Sequence, residues 1–162
     1  MNLYNLHSNP EELHGFDIAP YKIPKLAYEL ATRNGKLRPK LEPVIMKDPE
    51  YIYRYVFYVL KRRWQEAEPY IMKDPHYAYL YAEYVLIRPW PEAEPYIMKD
   101  PEFAYMYTKY VLKRRWPEAE PVIMKNPKWA YMYARYVLRR PWPEAEPYII
   151  KNPELWYAYQ SI

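Results

Sequence analysis

Residues 90–101 read Trp90-Pro91-Glu92-Ala93-Glu94-Pro95-Tyr96-Ile97-Met98-Lys99-Asp100-Pro101. So many prolines in so short a stretch suggest a linker, yet near-copies begin at Trp64, Trp116 and Trp142, so the phrase recurs every 26 residues. A fixed period of this length marks a repeat array rather than a linker. Aligning Asp48-Pro49, Asp74-Pro75, Asp100-Pro101, Asn126-Pro127 and Asn152-Pro153 places four full repeats over residues 48–151 and a truncated half-repeat over 152–162. Residues 23–47 form a degenerate first repeat, one residue short, in which Ala27-Tyr28 matches Ala78-Tyr79 and Glu42-Pro43 matches Glu68-Pro69. Residues 1–22 do not fit the period and are read as an N-terminal cap.

Each repeat can be numbered from the proline after Asp or Asn as position 1. Asp or Asn is then an N-cap, and proline occupies the first helical position, where its missing N–H costs nothing. Positions 4, 8, 11 and 12 hold Ala78, Ala82, Val85 and Leu86 in one repeat and Ala130, Ala134, Val137 and Leu138 in another. That spacing is one stripe of an α-helix, expected to run about 14 residues and to face its neighbours. Arg62, Arg88, Arg114 and Arg140 near its end suit the helix dipole. Trp-Pro is expected to stop it, because a residue before proline avoids α geometry. A short second helix then starts, with Glu66, Glu92, Glu118 or Glu144 at its positive end. Two turns cannot stand alone, so residues such as Ala93, Ile97 and Met98 must pack on the long helices. Ile52 and Val56 replace the alanines in the first full repeat, where looser packing is expected. Neither helix buries its apolar face within one repeat. The prediction is an all-α fold, an α-solenoid of stacked long-helix/short-helix pairs with a 26-residue period.

The chain has 22 tyrosines and 6 tryptophans, and their spacing gives them a structural task. On a helical wheel, positions 3, 7 and 10 share one flank: Tyr77, Tyr81 and Tyr84, then Phe103, Tyr107 and Tyr110, then Trp129, Tyr133 and Tyr136. Position 5, always tyrosine (Tyr53, Tyr79, Tyr105, Tyr131, Tyr157), lies on the other. Stacking must bring one flank against the next repeat's opposite flank, so most of these rings are expected to join repeats.

Positions 2, 6, 9 and 13 point away from both flanks and change most between repeats. Arg54, Phe57 and Lys61; His76, Leu80, Glu83 and Ile87; Met106, Lys109 and Lys113; and Lys128, Met132, Arg135 and Arg139 make up this variable face. Apolar residues rimmed by charge are typical of a partner-binding surface, although scattered exposed apolar residues also occur on ordinary solvated surfaces.

Composition narrows the function classes. At 51% hydrophobic the chain can build a core despite 19 prolines. Without cysteine it has no disulfide and no thiolate metal site. The net charge of +4 does not compel a nucleic-acid partner. Residues 1–15 lack the charged and apolar regions of a signal peptide, and no apolar run approaches membrane-spanning length, so a cytoplasmic protein with no membrane partner is expected. Only Gly15 and Gly35 are available, too few for a phosphate loop. His7, His14 and His76 have no metal-ligand spacing. The Glu pairs, such as Glu92/Glu94, recur in every repeat, whereas a catalytic dyad would occur once, so they are read as dipole and surface charge. No catalytic, cofactor-binding or metal-binding residue is assigned, and an enzyme is not expected.

Two other readings stay open. Lys47, Lys73, Lys99, Lys125 and Lys151 form one basic row, and Arg62/Arg63, Arg114/Arg115 and Arg139/Arg140 another. With aromatic side chains nearby, these rows could bind single-stranded nucleic acid, although acidic rows run beside them. In the half-repeat, Leu155, Trp156 and Tyr159 have no following repeat to cover them, which suggests self-association through the ends, as a homo-oligomer or a polymerising structural subunit.

The phrases Lys73-Asp74-Pro75-His76-Tyr77-Ala78-Tyr79-Leu80-Tyr81-Ala82 and Arg115-Trp116-Pro117-Glu118-Ala119-Glu120-Pro121 resemble a tandem-repeat family of bacteriophages and some large viruses. The opening Leu3-Tyr4-Asn5-Leu6-His7-Ser8-Asn9-Pro10-Glu11, followed by Leu26-Ala27-Tyr28-Glu29-Leu30-Ala31, also resembles the start of those proteins. The resemblance covers nearly the whole chain. It implies a phage or viral origin, in the host cytoplasm or with the virion, and no functional residues, since the family has no established activity. The architecture is similar to tetratricopeptide-like arrays with a shorter repeat. Together these readings predict a non-enzymatic helical-repeat scaffold for protein–protein interaction or self-assembly.

Overall fold

In the computed structural model, which describes residues 22–32 and 39–162, every Asp-Pro or Asn-Pro dipeptide of the repeats opens a helix. Asp48, Asp74, Asp100, Asn126 and Asn152 are extended, with φ between −138° and −97°, and each side chain accepts from a backbone N–H of the first turn. Asp74 Oδ1 takes the Tyr77 N–H at 3.0 Å, and Asn152 Oδ1 takes the Leu155 N–H at 3.1 Å. Among the described residues there are helices and no strands, and the helices recur in long and short pairs as an all-α repeat solenoid. The expected N-terminal cap, with His7 and His14, lies outside the described residues apart from Lys22, as do residues 33–38 of the degenerate repeat. No described helix is long and apolar enough to cross a membrane.

The chain divides into two compact units, Met1–Ile71 and Met72–Ile162. In the first, α1 (Lys22–Thr32) packs on α2 (Glu42–Ile45) and α3 (Pro49–Arg54), and α3 packs on α4 (Glu68–Ile71). Ala27, Ala31, Ile45, Ile52, Val56, Ala67 and Ile71 are wholly buried there. Ile52 and Val56, expected to pack loosely, are as inaccessible as the alanines they replace.

In the second unit, the long helices α5 (Pro75–Tyr81), α7 (Pro101–Tyr107), α9 (Pro127–Tyr133) and α11 (Pro153–Tyr159) lie each against the next. The short helices α6 (Glu94–Ile97), α8 (Glu120–Ile123) and α10 (Glu146–Ile149) each pack on the long helix before and the one after. The alanines at positions 4 and 19 and the isoleucine at position 23 are inaccessible in all three full repeats of this unit. Alanine is what lets the backbones approach closely. The burial of Ala93 and Ile97 holds a short helix that could not persist alone.

The long helices end differently from the expectation. In the four full repeats each α segment continues directly into a π-helical segment, such as Ala82–Leu86, Thr108–Leu112 or Ala134–Leu138, and the chain then turns left-handed at position 13. Lys61, Ile87, Lys113 and Arg139 have φ of 50°, 53°, 53° and 55°. Their amides reach back to the position-8 carbonyl, as in Lys113 N–H to Thr108 O at 2.9 Å. The helix therefore stops before its arginine, several residues short of Trp-Pro. Val85, Leu86, Val111, Leu112, Val137 and Leu138 are half-buried rather than core.

Candidate interaction surface

The tyrosine at position 7 does more than pack. Tyr107, Tyr133 and Tyr159 each place the ring beside a tryptophan and the hydroxyl on the preceding repeat. The Tyr107 Oη accepts the Trp90 backbone N–H at 2.6 Å and donates to Glu94 Oε1 at 3.0 Å. Tyr133 does the same with Trp116 (2.9 Å) and Glu120 (3.0 Å), and Tyr159 with Trp142 (2.5 Å) and Glu146 (3.0 Å). In the first unit Tyr55 donates to Glu42 at 3.2 Å. Burial pushes the Tyr107 and Tyr133 hydroxyls well above the usual tyrosine range, and the neighbouring carboxylate adds to it. The glutamate at position 20 is thus a structural acceptor, not only surface charge. Glu68 and Glu120 are buried and take bidentate bonds from Arg63 (2.5 and 2.7 Å) and Arg115 (2.6 and 2.8 Å). Burial acts to raise the Glu120 pKa, but the bonds from Arg115 and Tyr133 outweigh it and hold the carboxyl below its ordinary value. The position-18 partners Glu66, Glu92, Glu118 and Glu144 stay exposed, as expected.

The flanks join as expected at position 5. Tyr79 stacks on Phe103 (6.4 Å between centroids), and Tyr105 on Trp129 (5.5 Å). Position 10 departs from the expectation: Tyr84, Tyr110 and Tyr136 are exposed. Of the proposed self-association residues, Tyr159 is buried in its bonds to Trp142 and Glu146 and is not free to dock; Trp156, half-buried, stacks on it at 5.5 Å. Leu155 is half-buried, and the large hydrophobic side chain left open on this helix is Tyr157, 82% exposed.

All fourteen variable-face residues remain solvent-accessible. Arg54, Phe57 and Lys61 are exposed in the first unit. In the second, Ile87, Lys113, Lys128, Arg135 and Arg139 are exposed and His76, Leu80, Glu83, Met106, Lys109 and Met132 half-buried. Several are engaged with rings. His76 stacks on Phe103 at 4.8 Å, Lys128 lies over Trp129 at 4.1 Å, and Arg135 donates to the Tyr131 hydroxyl at 3.1 Å. Burial raises the Tyr79 hydroxyl, with the Glu83 carboxylate beside it contributing further.

Between the π-helical segments of the third and fourth full repeats (residues 100–125 and 126–151) lies a groove of about 530 Å³. The third repeat contributes Thr108, Lys109, Lys113 and Arg114, and the fourth Tyr136, Val137 and Arg139. Four of these side chains are cationic and none is a carboxylate. The left-handed caps put Lys113 and Arg139 at its rim. Sequence reasoning placed Lys109, Lys113 and Arg139 on this face and Arg114 in a basic row, but did not bring them together with Thr108, Tyr136 and Val137, which come from other positions of adjacent repeats. The signal was available as the excess of cations where position 9 and 13–14 of one repeat meet position 13 of the next. The two basic rows separate: Arg63 and Arg115 are tied to glutamates, Arg114 and Arg139 face the groove, and the exposed lysine row lies at the short-helix ends, with Lys99 over Tyr96 (4.8 Å) and Lys151 over Tyr148 (5.2 Å). Among the described residues no group of three His, Cys, Asp or Glu side chains is arranged to hold a metal. The chain matches no family model, and neither a curated protein nor a solved structure is significantly similar to it.

Proposed function

We propose that this chain is a non-enzymatic repeat scaffold that presents its variable face to a protein partner. One contrast carries the reading. The side chains identical in all four full repeats at positions 7, 16, 19 and 23 are buried without exception, whereas all fourteen residues of the variable face are accessible. These four positions, which build the array, are constant, whereas the positions that could discriminate a partner differ and stay open to solvent. Leu80, Met106 and Met132 add half-buried apolar area among charges, the composition expected of a docking surface. On the resemblance to phage and viral repeat proteins, that partner is to be sought in an infected host cell or the virion.

The test is site-specific photocrosslinking from Leu80, Met106 and Met132, with Tyr96 and Tyr148 on the short helices as controls. The scaffold reading expects polypeptide crosslinks from the variable face alone, unchanged by nuclease. Equal crosslinking from both faces, or loss on nuclease treatment, would overturn it.

A further inference from the structure

We propose that the groove between the third and fourth repeats is a docking site for an acidic peptide segment, one carrying clustered carboxylate or phosphate groups. The proposal rests on the scaffold reading above and names the chemistry of one part of that surface. Its first support is charge. Lys109, Lys113, Arg114 and Arg139 converge on about 530 Å³ of open volume, within the range of ordinary ligand sites. Among the described residues none of the four has a carboxylate within ion-pair distance, although the same chain neutralises Arg63 and Arg115 with buried glutamates. Among the described residues Arg114 donates only to the Arg115 carbonyl, at 3.4 Å. Like charges held together without a counter-charge repel one another, and an anionic group seated among them relieves that repulsion.

The second support is where the cations sit relative to the rings. Lys109 Nζ lies 4.4 Å from the Tyr136 ring centroid and 5.0 Å from that of Tyr110, and the Arg135 guanidinium lies 5.8 Å from that of Tyr136. Binding of single-stranded nucleic acid depends on aromatic faces that bases can stack on. Lys109 and Arg135 both lie near the Tyr136 ring, the one ring among the groove's lining residues, so a base stacking there would compete with two cations. That favours a peptide bearing compact anionic groups over a polynucleotide.

Third, the neighbouring junction lacks this charge. The preceding repeat carries Glu83 and Ile87 where the third carries Lys109 and Lys113. A carboxylate and an isoleucine there remove the charge convergence at that junction.

Fluorescence anisotropy with a labelled Glu-rich peptide, its phosphoserine counterpart and an oligothymidylate tests the inference on the full chain. The peptides are expected to bind, more weakly as salt rises. Lys113→Glu/Arg139→Glu should weaken peptide binding about tenfold or more, while Lys99→Glu/Lys151→Glu, with the same charge change outside the groove, should stay within about twofold. Arg114→Glu, next to a left-handed cap but not itself left-handed, provides a second probe should the double variant fold poorly. The stronger of the two peptides identifies the anion. Equal loss in the control pair, tighter binding of the oligothymidylate, or no peptide binding at low salt would each overturn the proposal. If crosslinking from Leu80, Met106 and Met132 persists in any of those cases, the scaffold reading survives and only the groove assignment fails.

Discussion

The hydroxyl of Tyr133 accepts the backbone N–H of Trp116 at 2.9 Å, and the two residues belong to consecutive repeats. The same oxygen donates to Glu120, which in turn holds Arg115. One phenol thus satisfies a buried amide and a buried carboxylate across a repeat boundary. Tyr133→Phe leaves both short of a partner, and a loss of about 1–3 kcal/mol is expected. Tyr136→Phe, at an exposed ring, should change stability by no more than about 0.5 kcal/mol. Urea unfolding followed by tryptophan fluorescence compares the two, and similar losses would show that the bond contributes little.

Ile87 is a β-branched residue in the left-handed region, at φ 53°. That conformation costs an L-residue roughly 1–2 kcal/mol, and glycine gives back part of the relief through its larger unfolded-state entropy. Ile87→Gly should therefore stabilise the chain by about 0.5–1 kcal/mol. Leu86→Gly, one residue earlier within the helix, should destabilise it by about 1 kcal/mol. Thermal melts of the pair should shift in opposite directions; a loss in both would count against strain at this cap.

Ala104 is inaccessible on the face where α7 meets its short helices. Ala104→Leu inserts volume where the backbones approach, and a cost of about 1–3 kcal/mol is expected. Met106→Leu, two residues on and half-buried, should cost less than about 1.5 kcal/mol. Chemical denaturation would show whether the small residue is required or only tolerated.

Glu120 titrates below its ordinary value of 4.5 in the folded chain because Arg115 and Tyr133 outweigh the effect of burial. A depressed carboxyl pKa stabilises the fold above the unfolded value, and that contribution fades as pH falls through the folded one. Glu120→Gln should be less stable than the parent at neutral pH, with the gap narrowing below pH 4.5. A gap that stays constant across that window would show that the charged form is not what the fold uses.

Much of the architecture was legible because its signals are local. Asp100 followed by Pro101 announces a capped helix start, and Ala78 and Ala82 or Ala130 and Ala134 mark the packed stripe at helical spacing. The helix end was not, since left-handed caps are ordinarily flagged by glycine or asparagine and here carry Lys61, Ile87, Lys113 and Arg139. The role given to Trp-Pro was also too large. Trp64, followed by Gln65, adopts φ −123° and ψ 86°, and Trp142, followed by Pro143, adopts −124° and 83°. The same geometry arises with and without a following proline, so the proline is not what sets it. The bonds from Tyr107 to Trp90 and Glu94 span 17 and 13 residues, beyond any helical spacing. The groove escaped for the same reason: Arg114 and Tyr136 meet only once two repeats are stacked.

The tyrosine–tryptophan bond also has a direction. Trp90, Trp116 and Trp142 each wait on a hydroxyl supplied from further along the chain, never from behind. Each of these amides therefore reports whether its successor is docked. Fraying from the C-terminal side should release Trp142 to hydrogen exchange first, then Trp116, then Trp90, whereas fraying from the other side should leave all three protected until their own repeats melt. Three backbone protons would thus record, repeat by repeat, from which end the array comes undone.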